Sequence, residues 1–273
     1  MYIVNGVMTW VFDVLFRPFS GGPGWLSLMV FSALASVFGL LVYKYTSNQR
    51  AIRVVKDRIK AEMLAIKLFK DDPAAMFRSF GGVLVSSARL FRHSLVPLAV
   101  MIVPFILVMA QLASRYQWRP LEVGDEAVVT AHLSPDLDLT TSSVSLAVGD
   151  GFNVETPTLR VPSEHRVAWR VRAVEKGVHE LRIAAPGGTA TKALTVGGGY
   201  QRVSPVRPGA SLWDQMLYPS ESPLASGSMI RSIAVSYPDR DGWFAGSTVW
   251  LVWLIGLSFV LAYVFKPILR VEF

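Results

Sequence analysis

Four histidines, His93, His132, His165 and His179, are scattered through a chain that has no cysteine. Without cysteine there are no disulfides, thiolate metal sites or thiol nucleophiles. His165 and His179 could approach on neighbouring strands, but no metal site is expected of them. His93 stands beside Arg92, where a solvated cation is the ordinary explanation. The acid pair Asp71-Asp72 reads as a helix cap, and Asp136 with Asp138 as loop residues. No P-loop, Rossmann glycine fingerprint, Gly-x-Ser-x-Gly or His-Glu-x-x-His occurs. The run Gly197-Gly198-Gly199 precedes no helical pattern and reads as a linker. No catalytic constellation, no cofactor and no metal is expected, so the chain is not read as an enzyme.

The elements around these residues explain the scarcity. Of 273 residues, 52% are hydrophobic and 17% charged, with a mean hydropathy of +0.39, whereas soluble domains carry about 25% charge. The deficit lies in residues 25–43, 94–114 and 242–265, none of which holds an Asp, Glu, Lys or Arg. Each approaches or exceeds the ~20 residues that cross a bilayer core as a helix. Spans are therefore assigned to 25–45, 94–115 and 242–265, which excludes both a purely soluble enzyme and a single-pass anchor. Their polar groups are Ser32, Ser36, Gln111 and Ser258, whose ordinary role is a local helix hydrogen bond. An uncharged interior argues against a proton pump or ion carrier. Pro97 and Pro104 predict a kink in the second span.

Charge sets the orientation. Residues 44–93 hold eleven Lys/Arg against four acids, which accounts for the whole net charge of +7. Residues 115–241 hold 13 basic against 14 acidic residues. Cytoplasmic loops are the ones enriched in Lys and Arg, so 46–93 and the tail 266–273 are placed inside, and 1–24 and 119–241 outside. The pI near 9.8 then follows from topology; any nucleic-acid partner would be ribosomal RNA, and DNA is not expected. No Asn-x-Ser/Thr acceptor occurs at Asn5, Asn48 or Asn153, compatible with a bacterial inner (plasma) membrane. The start has no basic residue before Arg17 and so lacks the charged region of a signal peptide. It reads as an interfacial helix, Tyr2–Phe16, with Ile3, Val7, Trp10, Val11, Leu15 and Phe19 on one face; a short fourth membrane segment is the alternative. Pro18 and the Gly21-Gly22-Pro23-Gly24 break end it.

Between the first two spans, Ile52, Val55, Ile59, Met63 and Ile66 recur at helical spacing. Arg53, Lys56, Lys60 and Lys67 fall on a different face, the candidate partner-binding basic surface. Asp72 can cap a second helix that starts at Pro73. This second arm carries Phe77, Phe80, Leu84, Ala88 and Phe91 on one side, with a bend predicted at Gly81-Gly82. The two arms predict an antiparallel hairpin over 46–93, the Ile stripe packing on the second arm.

Beyond Trp118 the period changes to two: Val144, Leu146 and Val148, then Val167, Trp169 and Val171, Leu181 and Ile183, and Leu194 and Val196. Turn signals at Gly149-Asp150-Gly151, Lys176-Gly177 and Pro186-Gly187-Gly188 separate them. This predicts an antiparallel, immunoglobulin-like β-sandwich over 119–197 with Trp169 in its core. A linker over 198–241 follows, with a short helix near 211–217 and a returning strand near 229–237. The fold class expected is an α+β integral membrane protein.

The order of first span, basic hairpin, proline-bearing second span and returning third span resembles the YidC/Oxa/Alb superfamily of membrane protein insertases. The Tyr45-Thr46-Ser47-Asn48-Gln49 exit and the basic 50–70 arm carry the resemblance, which is nearest to the minimal archaeal YidC-like proteins. It covers about half the chain. The resemblance implies a polar groove, for which Ser32, Ser36 and Gln111 are the candidate lining groups, and a hairpin that engages nascent membrane proteins or ribosomes. Two departures stand out: the β-domain lies between the second and third spans, and the groove arginine of many YidC proteins has no counterpart. The function expected is insertase-like assistance to membrane protein insertion. The alternative is a non-catalytic scaffold whose β-domain binds an envelope protein; a small-molecule sensor is a weaker third.

Overall fold

The structure, a computed structural model, describes residues 2–19, 22–69, 71–269 and 271. Gly21 of the glycine break, Lys70 of the basic arm, and Arg270, Glu272 and Phe273 of the tail lie outside the described residues, as do Met1 and Ser20. The protein is α+β. Helices α1 (Tyr2–Phe16), α2 (Gly24–Thr46), α3 (Gln49–Leu68) and α4 (Pro73–Tyr116) precede a β region, and α6 (Val249–Leu269) follows it. Helices α2, α4 and α6 are long and apolar enough to cross a membrane. The chain divides into two compact units, Met1–Ser27 with Ile106–Trp253, and Leu28–Phe105 with Leu254–Phe273.

In the second of these units the Asp72 cap is the one the sequence predicts, while the first arm, expected from Thr46, starts at Gln49 with Asn48 as its cap. The Asn48 side chain accepts the Ala51 N–H at 3.0 Å, and Asp72 Oδ1 accepts those of Ala74 and Ala75 at 2.9 and 3.1 Å, each satisfying donors that a helix start leaves unpaired. Helix α4 then runs for 44 residues without a break. The arm expected to end at 93 and the span expected to begin at 94 are one helix. Ser94 Oγ bonds back to the Leu90 carbonyl at 3.1 Å instead of capping a new start. Gly81-Gly82 do not interrupt it, nor do Pro97 and Pro104, consistent with the tolerance of apolar helices for proline.

The two faces of this helix differ in burial. Ser79 and Ser86 are buried, and a Cβ at Gly82 would sit 2.6 Å from the Glu62 carboxyl carbon of α3. The side carrying Phe77, Phe80, Leu84 and Phe91 is instead exposed, at 54–70%. Small residues admit close approach, so the Ser79/Gly82/Ser86 face is the one turned inward. On α3, Ile52 is fully buried while Met63 is exposed.

The other unit contains two antiparallel sheets. One has the order β3-β5-β1-β9-β8, with β4 also paired to β5; the other has the order β2-β6-β7. Their ranges are β1 Glu126–Leu133, β2 Ser145–Ala147, β3 Phe152–Val154, β4 Leu159–Val161, β5 Arg166–Ala173, β6 Gly177–Ala185, β7 Gly188–Val196, β8 Val206–Arg207 and β9 Ile230–Val235. Period-two burial positions them: Ala127, Val129, Ala131 and Leu133 of β1 and Val167, Trp169, Val171 and Ala173 of β5 all enter one core with Leu181, Ile183 and Leu194. Pro186 and Gly187 form the two-residue turn between β6 and β7, with Gly187 at φ +91°, where an L side chain would be strained. Within 198–241 the expected short helix and returning strand are present as α5 (Leu212–Leu217) and β9; the segment also supplies β8, and β9 lies between β1 and β8 instead of in a linker. The β-region therefore extends past 197. A register shift between His132 and Leu133 breaks the alternation of β9, which buries Ile230, Ile233 and Val235; the strand falls where the sequence places it, and its central position in the sheet is what the pattern does not show.

Candidate functional site

Helix α1 keeps its expected apolar side outward: Ile3, Val7, Trp10 and Leu15 are exposed. Its opposite side is a polar stripe at four-residue steps, Asn5, Thr9 and Asp13, flanked by Phe12 and Phe16. Asn5, Thr9, Phe12 and Phe16 are buried. Asn5 Nδ2 donates to the Gln215 carbonyl of α5 at 2.6 Å, and Gln111 Nε2 of α4 donates to Thr9 Oγ1 at 2.7 Å. Arg115, 1% exposed, pairs with Asp13, donates to the Gln111 carbonyl at 3.0 Å and lies over the Phe16 ring. Among the described residues, Asn5 Oδ1 and Gln111 Oε1 are buried without a hydrogen-bond partner. Gln111 is therefore a buried tie to α1. The repeat Asn5–Thr9–Asp13 was the available sequence signal for this contact.

Aromatic rings close the seam. The Tyr116 hydroxyl lies 2.6 Å from Ser27 Oγ, whose own proton goes to the Gly24 carbonyl at 2.7 Å. The Tyr116 ring stacks on Trp250 and tilts against Phe16 and Tyr200. Arg240 covers Tyr200, and its guanidinium donates to the carbonyls of Arg115, Trp118 and Gly199. Burial pushes the Tyr200 hydroxyl pKa up and that of Arg240 down, since desolvation penalises each charged form. The first residues of α2, the last of α4 and the first of α6 are thus fixed within this unit.

Ser32 and Ser36, the other expected groove groups, are buried in α2. Ser36 Oγ lies 2.7 Å from the carbonyls of Ser32 and Ser258, and Ser258 Oγ donates to the Ser32 carbonyl at 3.2 Å. They join α2 to α6, while Ser32 Oγ itself is buried with no partner among the described residues. Among the candidate basic residues, Arg53, Lys60 and Lys67 are exposed and Lys56 is half-buried on α3. Lys60 pairs with Asp57 at 3.7 Å, and the neighbouring Arg58 with Glu62 at 3.9 Å. Both are weak surface pairs.

A second charged centre was not anticipated. Lys192 of β7 is fully buried; it pairs with Glu221 and donates to the Ser204 carbonyl and hydroxyl at 2.6 and 2.9 Å. Desolvation pushes its pKa down to about 8 against the opposing pull of Glu221. Glu221 Oε2 also accepts the Ala193 N–H at 3.1 Å, Arg207 bonds the Thr191 carbonyl, and the Tyr237 hydroxyl accepts the Thr195 N–H at 3.0 Å. Side chains thereby close the outer edge of β7, which would otherwise be open to strand addition. The His179 ring packs edge-on to Phe152, with a ring nitrogen 3.0 Å from the Glu175 carbonyl, so this histidine is engaged locally. Among the described residues no cluster of His, Asp or Glu could hold a metal ion. Compared with protein-family models, curated proteins and solved structures, the chain matches none.

Proposed function

We propose that the chain is an insertase-like protein of a bacterial inner membrane, assisting hydrophobic segments into the bilayer. The carrying observation is the exposed ridge Phe77, Phe80, Leu84 and Phe91 on α4. Forty-four residues at ~1.5 Å each extend about twice the ~30 Å of a hydrocarbon core, so a large part of α4 stands beyond the bilayer. An exposed apolar ridge there is suited to receiving an apolar segment. In orientation, α3 and the start of α4 lie in the cytoplasm as a hairpin, and the β-region, an immunoglobulin-like sandwich in this reading, lies outside. Exposed Trp10, Trp25, Trp213, Trp243 and Trp253 support seating of the outer unit at a membrane interface, where tryptophan is enriched. Catalysis by side chains has no part in this reading.

A photo-crosslinking residue at Phe80, present while a short-tailed membrane protein is synthesised, tests the proposal. Capture of the nascent chain at Phe80, and none from the same probe at Ser163 of the β-region, is the expected result. A silent Phe80 would remove the observation on which the reading stands.

The scaffold reading is favoured by one different observation. Ser36 and Ser258 are occupied in tying α2 to α6, which leaves them unavailable to line a groove. On that reading the β-region, not α4, captures the partner.

A further inference from the structure

Beside the Lys192 centre lies a cavity of about 260 Å³, lined by Asp13 of α1, Val178 of β6, Ala193 and Thr195 of β7, and Gln201, Arg202, Ser204, Ser220 and Glu221 of the connecting segments. We infer that this cavity is a binding site for a single phosphate-bearing group, with Arg202 as its principal contact. Neither the sequence nor the insertion reading calls for it.

Charge around the cavity, counted with the two buried cations behind its lining, is out of balance. Glu221 is neutralised by Lys192, and its second oxygen accepts the Ala193 N–H. Asp13 is shared by two guanidinium groups, Arg115 in direct contact and Arg202 at 3.5 Å. Those five side chains sum to one excess positive charge. Arg115 is sealed away at 1% exposure, its N–H groups directed to Asp13, the Gln111 carbonyl and Ser114. Arg202 is different. Its side chain is 33% exposed, it lines the cavity, and among the described residues its N–H groups make no hydrogen bond closer than the Asp13 contact. A guanidinium offers five donors in a planar fork that matches phosphate oxygens. The hydroxyls of Thr195 and Ser220 reach their carbonyl acceptors only at 3.4 and 3.5 Å, and so can turn toward a better one.

The volume falls just below the ~300–1,000 Å³ of drug-sized pockets, which suits a headgroup and not a nucleotide. The phosphate can come from a phospholipid headgroup or from free inorganic phosphate. Asp13 sits on the helix whose opposite side exposes Ile3, Val7 and Trp10, so lipid is within the reach of this element.

Native mass spectrometry of the full-length protein in a phosphate-free maltoside detergent separates the two sources. One arm titrates short-chain phosphatidylglycerol with diacylglycerol as the neutral control; the other titrates inorganic phosphate. Saturable one-to-one binding in at least one arm is expected, with no binding of diacylglycerol. Arg202→Gln should weaken it about tenfold or more, the order of one charge-assisted contact, and Arg202→Lys should weaken it less. Arg182→Gln, on the exposed side of β6, should leave it unchanged. Absence of saturable binding to the wild type in both arms would overturn the site, as would equal affinity in the wild type and a folded Arg202→Gln protein.

Discussion

Lys192 takes an inward position in β7, between Ala190 and Leu194, where an apolar residue would be expected. A buried charge is retained only with a partner, so Glu221→Gln should cost about 3–5 kcal/mol by leaving Lys192 uncompensated. Its pH signature has a definite sign. The folded protein holds Lys192 at about 8, below the ordinary 10.5, so between those values the unfolded chain binds more protons. Stability should therefore rise from pH 8 toward pH 10, by the order of 1–2 kcal/mol. Above that window the buried Tyr237 hydroxyl, pushed up by desolvation, works in the opposite direction. Urea titrations at pH 8, 9 and 10 should show the rise in the wild type and its loss in Lys192→Met; parallel slopes would refute the assignment. In the sequence Lys192 was visible only as a charge interrupting an alternating strand. Its partner stands 29 positions away in a segment with no regular pattern, and spacing alone does not reveal such a pair.

Gly246, in the turn that enters α6, has φ +84°; its N–H donates to the Tyr116 carbonyl at 2.9 Å, and a Cβ there would strike the Arg240 carbonyl. Gly246→Ala should cost about 1–3 kcal/mol, the usual penalty of such backbone strain, lowering the Tm of the purified protein. Gly256→Ala, where a Cβ meets nothing within 4 Å, should not lower it. Ser36→Ala removes an interhelix bond of the kind worth ~0.6–1.7 kcal/mol in apolar surroundings, and its Tm should fall by less than that of Gly246→Ala. Helices were the elements most legible from sequence, because uncharged stretches, the Asp72 cap and helical periodicity act locally. Which face of α4 turns inward was not legible, because apolar periodicity does not show that small Ser79, Gly82 and Ser86 allow the closer approach. Trp169 in the core and the Pro186-Gly187 turn were readable from alternation and turn chemistry. The placement of β9 was not, since it depends on pairing with β1 across about a hundred residues.

Orientation of the whole chain rests on the eleven basic residues of 44–93. Cysteines at Ser47 and Ser87 should resist a membrane-impermeant thiol reagent in intact cells while one at Ser163 reacts; the opposite pattern would reverse the topology. Changing Arg53, Lys56, Lys60 and Lys67 together to Gln should keep orientation, because Lys44, Arg50, Arg58, Lys70, Arg78, Arg89 and Arg92 remain. It should weaken co-purification of acidic partners, as should high salt, which screens exposed charges over ~8 Å or less. Equal recovery under all conditions would leave the basic face a topological signal only. Insertion itself is tested most directly in liposomes containing the purified protein and nothing else, challenged with a newly synthesised membrane protein bearing a short translocated tail. Protease protection of that tail should rise well above the level in empty liposomes, and should fall when Phe77, Phe80, Leu84 and Phe91 are all changed to Ser. Protection equal to that of empty liposomes would contradict the insertase account.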